Sequence, residues 1–201
     1  MIEYLLNKRN PVARPRSEDK RQAILDAAVE EFAVRGWTAP TAAISRAAGV
    51  AEGTLFTYFA SKDVLLNELY RSLKLEAAAA MLAGYPQGGT ARDKFRHVWM
   101  AYLRFAGEHP LKCKVMGQLR VSGKLTPETR EAGNAAFVEL LAEAEDCVRR
   151  KLVRQVPVHF IGAMFNGLAE ATLAAMAGPD AAGIDCAAVG FEVFWSGIAH
   201  P

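Results

Sequence analysis

The chain has 201 residues, 51% of them hydrophobic and 23% charged, with a formal charge of +2. This is enough length and apolar content to bury a sizeable core, which excludes an intrinsically disordered chain, and the near-balance of charge excludes a polycationic coat for nucleic acid. The cysteines, Cys113, Cys147 and Cys186, are far apart with no CxxC pair, which excludes a disulfide framework or cysteine zinc site and predicts reduced thiols in the cytoplasm.

Basic residues gather at the start of the chain: Lys8, Arg9, Arg14, Arg16, Lys20 and Arg21. Residues 1–16 read as a basic arm, either tracking a DNA backbone or simply solvated. MIEYLL is short and lacks a small-residue cleavage site, which predicts no secretory leader. Ser17 to Arg35 reads as the first helix, capped by Ser17, with Ile24, Ala28 and Phe32 inward and Gly36 as its stop. Thr41 opens a short second helix, as cap or phosphate donor, with Ile44, Ala47 and Ala48 as its apolar side. Gly49 supplies the positive φ of a sharp turn, and Val50 packs that turn. Leu55 and Phe59 face inward from the next short helix, leaving Glu52, Gly53, Phe56 and Thr57 outward. Two short helices joined in this way, the second with a free outer face, read as a helix-turn-helix able to enter a major groove.

Ser61 reads as the cap of a fourth helix running to about Ala83. Lys62 stands in its first turn, where free N–H groups and the helix dipole favour a phosphate. Residues 17–66 therefore form a three-helix DNA-binding head. Gly84, Pro86, Gly88 and Gly89 mark its boundary with a body spanning 84–201. That body is helical throughout. Arg92 to Glu108 is followed by a shorter helix with Val115, Met116 and Leu119, then by one helix from Pro127 carrying Phe137, Leu141, Ala144, Val148 and Leu152. Pro157 to Ala177 is apolar nearly all round, and Asn166, Glu170 and its many small residues favour a buried helix over a membrane span. The final helix carries Phe191, Phe194 and Trp195. The surplus apolar surface of the last two helices predicts an intersubunit four-helix bundle with those three residues in the seam of a homodimer, the alternative being an internal core.

Catalytic and metal motifs are missing from the sequence: there is no GxSxG, HExxH, Walker loop or glycine-rich dinucleotide turn, and His97, His109, His159 and His200 are scattered. The expectation is a protein without catalytic, metal or cofactor sites. Enzyme and constitutive DNA-binding protein are the alternative classes.

RQAILDAAVEEFAVRGW and AAISRAAGVAEGTLFTYFASKDVLL together resemble the tetracycline-repressor (TetR) family of bacterial regulators over roughly the first third of the chain. Ser45, Ala51, Phe56 and Trp37 depart from the usual pattern, and Ala51 and Phe56 each lose a hydroxyl. The resemblance implies an all-α homodimer on a pseudo-palindromic operator, most simply a repressor. By it, Thr41, Thr54, Tyr58 and Lys62 hold phosphates, while Glu52, Gly53, Phe56 and Thr57 face bases. Glu52 would accept from a cytosine amino group or pair with Arg46, or serve only the helix dipole. The resemblance also implies a small effector inside the body, coupled to the DNA face through the fourth helix. Trp99, Tyr102, Phe105, Met116, Phe137, Phe160, Met164 and Phe165 are the residue types for an apolar or aromatic ligand, with Asn134, His159, Asn166 or Glu170 as a polar contact. The same side chains would equally pack a core.

Overall fold

A computed structural model describes residues 13–179 and 183–200, with side chains from Glu18 onward. The helices, in chain order, are α1 (Ala13–Arg35), α2 (Thr41–Ala47), α3 (Glu52–Tyr58), α4 (Lys62–Leu82), α5 (Ala91–Glu108), α6 (Pro110–Val121), α7 (Pro127–Ala135), α8 (Val138–Arg149), α9 (Val158–Met176) and α10 (Cys186–Ile198). A single 3-10 turn, Gly36–Thr38, follows α1. Among the described residues there is no strand, only an isolated bridge between Val153 and Ala199. The fold is all-α. Most of the expected basic arm, including Lys8 and Arg9, lies outside the described residues. Ser17 falls inside α1 instead of capping it, because the helix begins at Ala13.

Helix starts follow local hydrogen-bonding chemistry. Ser61 accepts from Val64 N at 3.2 Å, Thr90 and Asp93 form a reciprocal capping box, Thr126 accepts from Thr129 N ahead of Pro127, and Asp185 accepts from Ala188 N at 3.0 Å. Each such cap contributes on the order of 1 kcal/mol by satisfying an amide that the helix leaves free.

Two apolar clusters organise the chain. The first joins Ile24, Leu25, Ala28 and Phe32 of α1 to Ile44, Leu55, Phe59 and the inner face of α4, but it also takes in Val115 and Leu119 of α6 and then Leu125. The head's core is thus closed by a helix from the expected body. The second cluster joins Trp99 and Leu103 of α5 to Ile161 and Ala169 of α9 and to Phe191, Phe194 and Ile198 of α10. Gly190 makes the last crossing tight: a Cβ there would lie 2.9 Å from Trp99 Cζ2 and on top of the Thr172 hydroxyl.

Polar contacts pin α4 to the chain after α6. Buried Asn67 donates to Lys124 O at 3.2 Å and accepts from Thr126 N at 3.0 Å, and Arg71 donates to Thr129 Oγ1 at 2.7 Å. A buried amide with both ends satisfied fixes one register between these segments.

The helix expected to run from Pro127 past Leu152 is broken at Ala136 and Phe137. α7 is held against α4 by Arg71 and by Gly133, where a Cβ would stand 3.1 Å from Tyr70 Cε1. α8 packs instead on α9, a direction that one straight helix from Pro127 does not serve. Phe137, at the corner, places its ring 4.1 Å from Lys74 Nζ. α8 then stops at Arg149, where Lys151 adopts φ 57° and turns the chain.

Candidate functional site

The α2–α3 unit has the geometry that its spacing predicts. Gly49 adopts φ 66°, Val50 N donates to Ser45 O at 2.9 Å, and Ile44, Leu55 and Phe59 are at most 1% exposed. One inner position differs. Ala47 faces solvent, while Ser45 is buried and donates to Ala42 O. A small hydroxyl bonded to its own helix fits under the crossing where a larger side chain would hold the helices apart.

The structure brings Glu52, Gly53, Phe56 and Thr57 together on the exposed side of α3, with Phe56 42% exposed. Thr57 donates to Gly53 O at 3.0 Å. A Cβ on Gly53 would meet nothing within 4 Å, so packing within the protomer does not require glycine there. Thr41 does not cap α2, since Pro40 occupies that place without a side-chain bond. Its hydroxyl donates instead to Glu52 Oε1 at 2.7 Å, bridging the starts of α2 and α3. Glu52 is therefore engaged by Thr41, not by Arg46. Thr54 and Tyr58 are half-buried, Tyr58 against the head's core.

Lys62 is the first residue of α4. Partial burial pulls its ammonium pKa below the usual lysine value and nearby Lys124 adds to the effect, while Asp63 opposes it. Lys124 itself stands 5.3 Å over the Trp37 ring. Two cations thus flank the start of α4, and the second, 62 positions further along the chain (124 − 62), carried no local signal in the sequence.

The body holds a cavity of about 690 Å³, partly open to solvent, among α4 to α10. Of the side chains expected there, Tyr102, Met116, Phe137, Phe165, Asn134, His159 and Asn166 line it. Trp99, Phe105 and Met164 do not. Trp99 is fully buried in the second core, stacked on Phe194 at 5.5 Å, with Nε1 donating to Ala187 O at 3.0 Å. Phe105 is buried against His109 at 5.0 Å, and Met164 packs into the second core under Gly197. Phe160 is 49% exposed and Glu170 is also exposed, both outside the cavity wall. A helical stripe shows which residues share a face. It does not show whether that face meets a neighbour or a void.

The cavity wall is apolar along Ala77, Met81, Phe95, Val98, Leu140, Leu141 and Ile161, with polar groups interspersed. Burial pushes both Tyr85 and Tyr102 up to about 12, so each is a neutral hydroxyl able to donate. Lys94 is paired with Glu143 at 2.8 Å. Lys74 and Arg120 also line the cavity, and sequence reasoning missed both. The available signal was Lys74 itself, a cation four residues after buried Tyr70 and three before buried Ala77 on the inner stripe of α4.

The expected dimer seam needs correction. Phe191 and Phe194 are 0% exposed within their own protomer, and Trp195 is half-buried and stacked on Phe191. None of the core-facing pair is available to a second chain, because α10 turns that side onto α5 and α9. What remains outside is a different apolar face: Phe160 and Met176 on α9, Ile184, and Val189 and Val193 on α10, each 46–56% exposed. Between the α9 positions lie exposed Ala163, Gly167, Ala171 and Ala174.

A glycine turn at positive φ, an exposed face on α3 and cations at the start of α4, all carried on a helical body with an apolar cavity, have the form of a helix-turn-helix DNA-binding unit. Residues 24–69 match the family described as bacterial regulatory proteins, tetR family. The chain is 31% identical over 105 residues to the fatty acid metabolism regulator protein of Bacillus subtilis, covering 51% of this chain and 54% of that one. It spans 54–63% of the length of the curated relatives it matches. Among solved structures, a TetR family transcription regulator from Marinobacter aquaeolei VT8 superposes with a TM-score of 0.86 at 24% identity, covering 94% of this chain and 100% of that one. The Bacillus subtilis transcriptional regulator FadR, solved with stearoyl-CoA, superposes with a TM-score of 0.67 at 22% identity, covering 88% and 98%. Residues 24–69 thus carry the DNA-binding segment of the tetR family, and the chain as a whole shares the fold of a solved TetR family regulator. Among the described residues, no helix is long and apolar enough to cross a membrane.

Proposed function

We propose that this protein is a cytoplasmic homodimeric repressor that leaves a pseudo-palindromic operator when a small apolar-chain molecule fills the body cavity. The observation that carries this reading is the position of α6. Met116 and Arg120 line the cavity, while Val115 and Leu119 of the same helix belong to the head's core. A ligand that shifts α6 must therefore repack the head, and through Asn67 and Arg71 it also moves α4. The fourth helix is one limb of this coupling and α6 the other. The likeness to a fatty acid metabolism regulator and to a regulator solved with stearoyl-CoA supports an effector with a long apolar chain. The exposed α9–α10 face supports a dimer that joins there, its small residues letting helices approach closely.

On DNA, Lys62 and Lys124 hold phosphates beside the start of α4, together with Thr54 and Tyr58. The exposed α3 residues meet bases, with Gly53 admitting the closest backbone approach. In that role Thr41 keeps Glu52 oriented and contacts a phosphate only by giving up that bond. Lys62→Ala is expected to weaken all operators alike and reduce the slope of log affinity against log salt by about 1, since a phosphate contact releases counterions without reading sequence. Thr57→Val is expected to change base preference with little change in slope. Fluorescence anisotropy across a salt series on operator variants checks both. A Lys62→Ala variant with altered selectivity and an intact slope reverses the assignment.

A further inference from the structure

We infer that the cavity's effector is an amphiphile whose anionic head, a carboxylate or phosphate, is held between Lys74 of α4 and Arg120 of α6. This inference rests on the reading of the cavity as the effector site and adds the chemistry of what enters it. Three carboxylates on and around α4 already have partners: Glu68 is bonded to Arg21 and Arg71, Glu76 to Lys112, and Glu143 to Lys94. Among the described residues, neither Lys74 nor Arg120 has a carboxylate within ion-pair distance, though both line an otherwise largely apolar cavity.

The Lys74 ammonium is half-buried and faces the Phe137 ring at 4.1 Å. A cation–π contact offsets part of the desolvation of an ammonium, but an anion offsets much more. Burial, followed by the charge of Arg120, brings the Lys74 pKa down to about 8. The protonated form is thus held at a cost that a bound anion removes. An anion shared by Lys74 and Arg120 also cancels a repulsion between α4 and α6, the two helices that link the cavity to the head. The head group would therefore transmit binding, while the chain supplies affinity along Met81, Phe95, Phe165 and their neighbours.

The test compares hexadecanoate, hexadecanoyl-CoA and hexadecanol, each titrated calorimetrically into the full-length dimer below its micelle concentration. At least one anion is expected to bind ten-fold or more tightly than the alcohol. Preference for the acid identifies a carboxylate head, and preference for the thioester a phosphate. Lys74→Met, which keeps an apolar stem, and Arg120→Gln, at an exposed rim position, should each reduce anion affinity ten-fold or more and leave the alcohol unchanged. Anion affinity should fall about ten-fold from pH 7 to pH 9 as Lys74 deprotonates, because the apparent affinity scales with the competent fraction.

The other titratable groups on the wall are Tyr85, Tyr102, Glu145, His159 and the Lys94–Glu143 pair. A flat profile in Lys74→Met assigns the pH dependence to Lys74. Equal binding of acid, thioester and alcohol, or indifference of both variants, overturns the anionic head and leaves the cavity reading standing. Gly162→Phe separates the two levels, since Gly162 lines the cavity and its Cβ direction is open. It should abolish binding of every probe. If the wild type binds none of them, or Gly162→Phe binds all of them normally, the cavity reading falls with the inference.

Discussion

Val193→Glu is expected to convert the dimer into folded monomers and to lower operator affinity by about 100-fold or more. Val193 and Val189 lie one turn apart on α10 and remain 51% and 53% exposed in the protomer, so a carboxylate at 193 is harmless to the isolated chain. In a two-fold seam that charge is desolvated and faces its symmetry mate, at a cost of about 3–5 kcal/mol. Losing the second head removes the gain of binding two half-sites at once, which is worth roughly 10²–10⁴ in affinity. Sedimentation velocity at micromolar concentration, with circular dichroism as a control for folding, measures the first effect. A dimer indifferent to Val193→Glu places the interface elsewhere. Phe191→Glu or Phe194→Glu would not make the same test, since both rings are fully buried in their own protomer and a charge there unfolds it.

Trp99→Ala is expected to destabilise the protein by about 3–5 kcal/mol, the range for truncating a fully buried aromatic. The indole stacks on Phe194 at 5.5 Å and meets Phe165 edge-on at 5.4 Å. It also satisfies Ala187 O through Nε1, so truncation leaves a carbonyl without its partner as well as a void. Urea unfolding at matched protein concentration measures the loss, because the stability of a dimer depends on concentration. A loss under about 1 kcal/mol would mean that Trp99 belongs to the ligand site after all, where removing a side chain costs little until a ligand arrives.

The head was legible because its constraints are local. Gly49 needs a positive φ, Leu55 and Phe59 recur at helical spacing, and Ser61 caps within three residues, so a window of a few dozen residues holds the partners of the turn and its caps. Val115, Leu119 and Lys124, which complete the head from afar, gave no local sign. The body resisted for the opposite reason. Its cavity takes side chains from α4 to α10, and whether Trp99 or Tyr102 reaches it depends on how α10 closes over α5, a relation between positions nearly a hundred residues apart. Phe191 and Phe194 show the same limit. Their spacing marks an apolar face, but only the crossing at Gly190 decides that this face turns inward. The break at Phe137 was hidden because Gly133 and Asn134, though weak helix formers, do not by themselves stop a helix, and the close approach of Gly133 to Tyr70 is a tertiary demand. Lys74 was visible as a charge on an apolar stripe, a local conflict of the kind that marks a functional position.

Selection of bound sequences from a random duplex pool, at about 0.15 M salt, where non-specific phosphate contacts are weakened, tests the central claim most directly. The account predicts enrichment of one inverted repeat whose symmetry matches a two-fold dimer, with base preferences that shift when Thr57 or Phe56 is replaced. A pool that shows no enrichment, or enriched sequences that are unchanged by replacing the exposed face of α3, would contradict it.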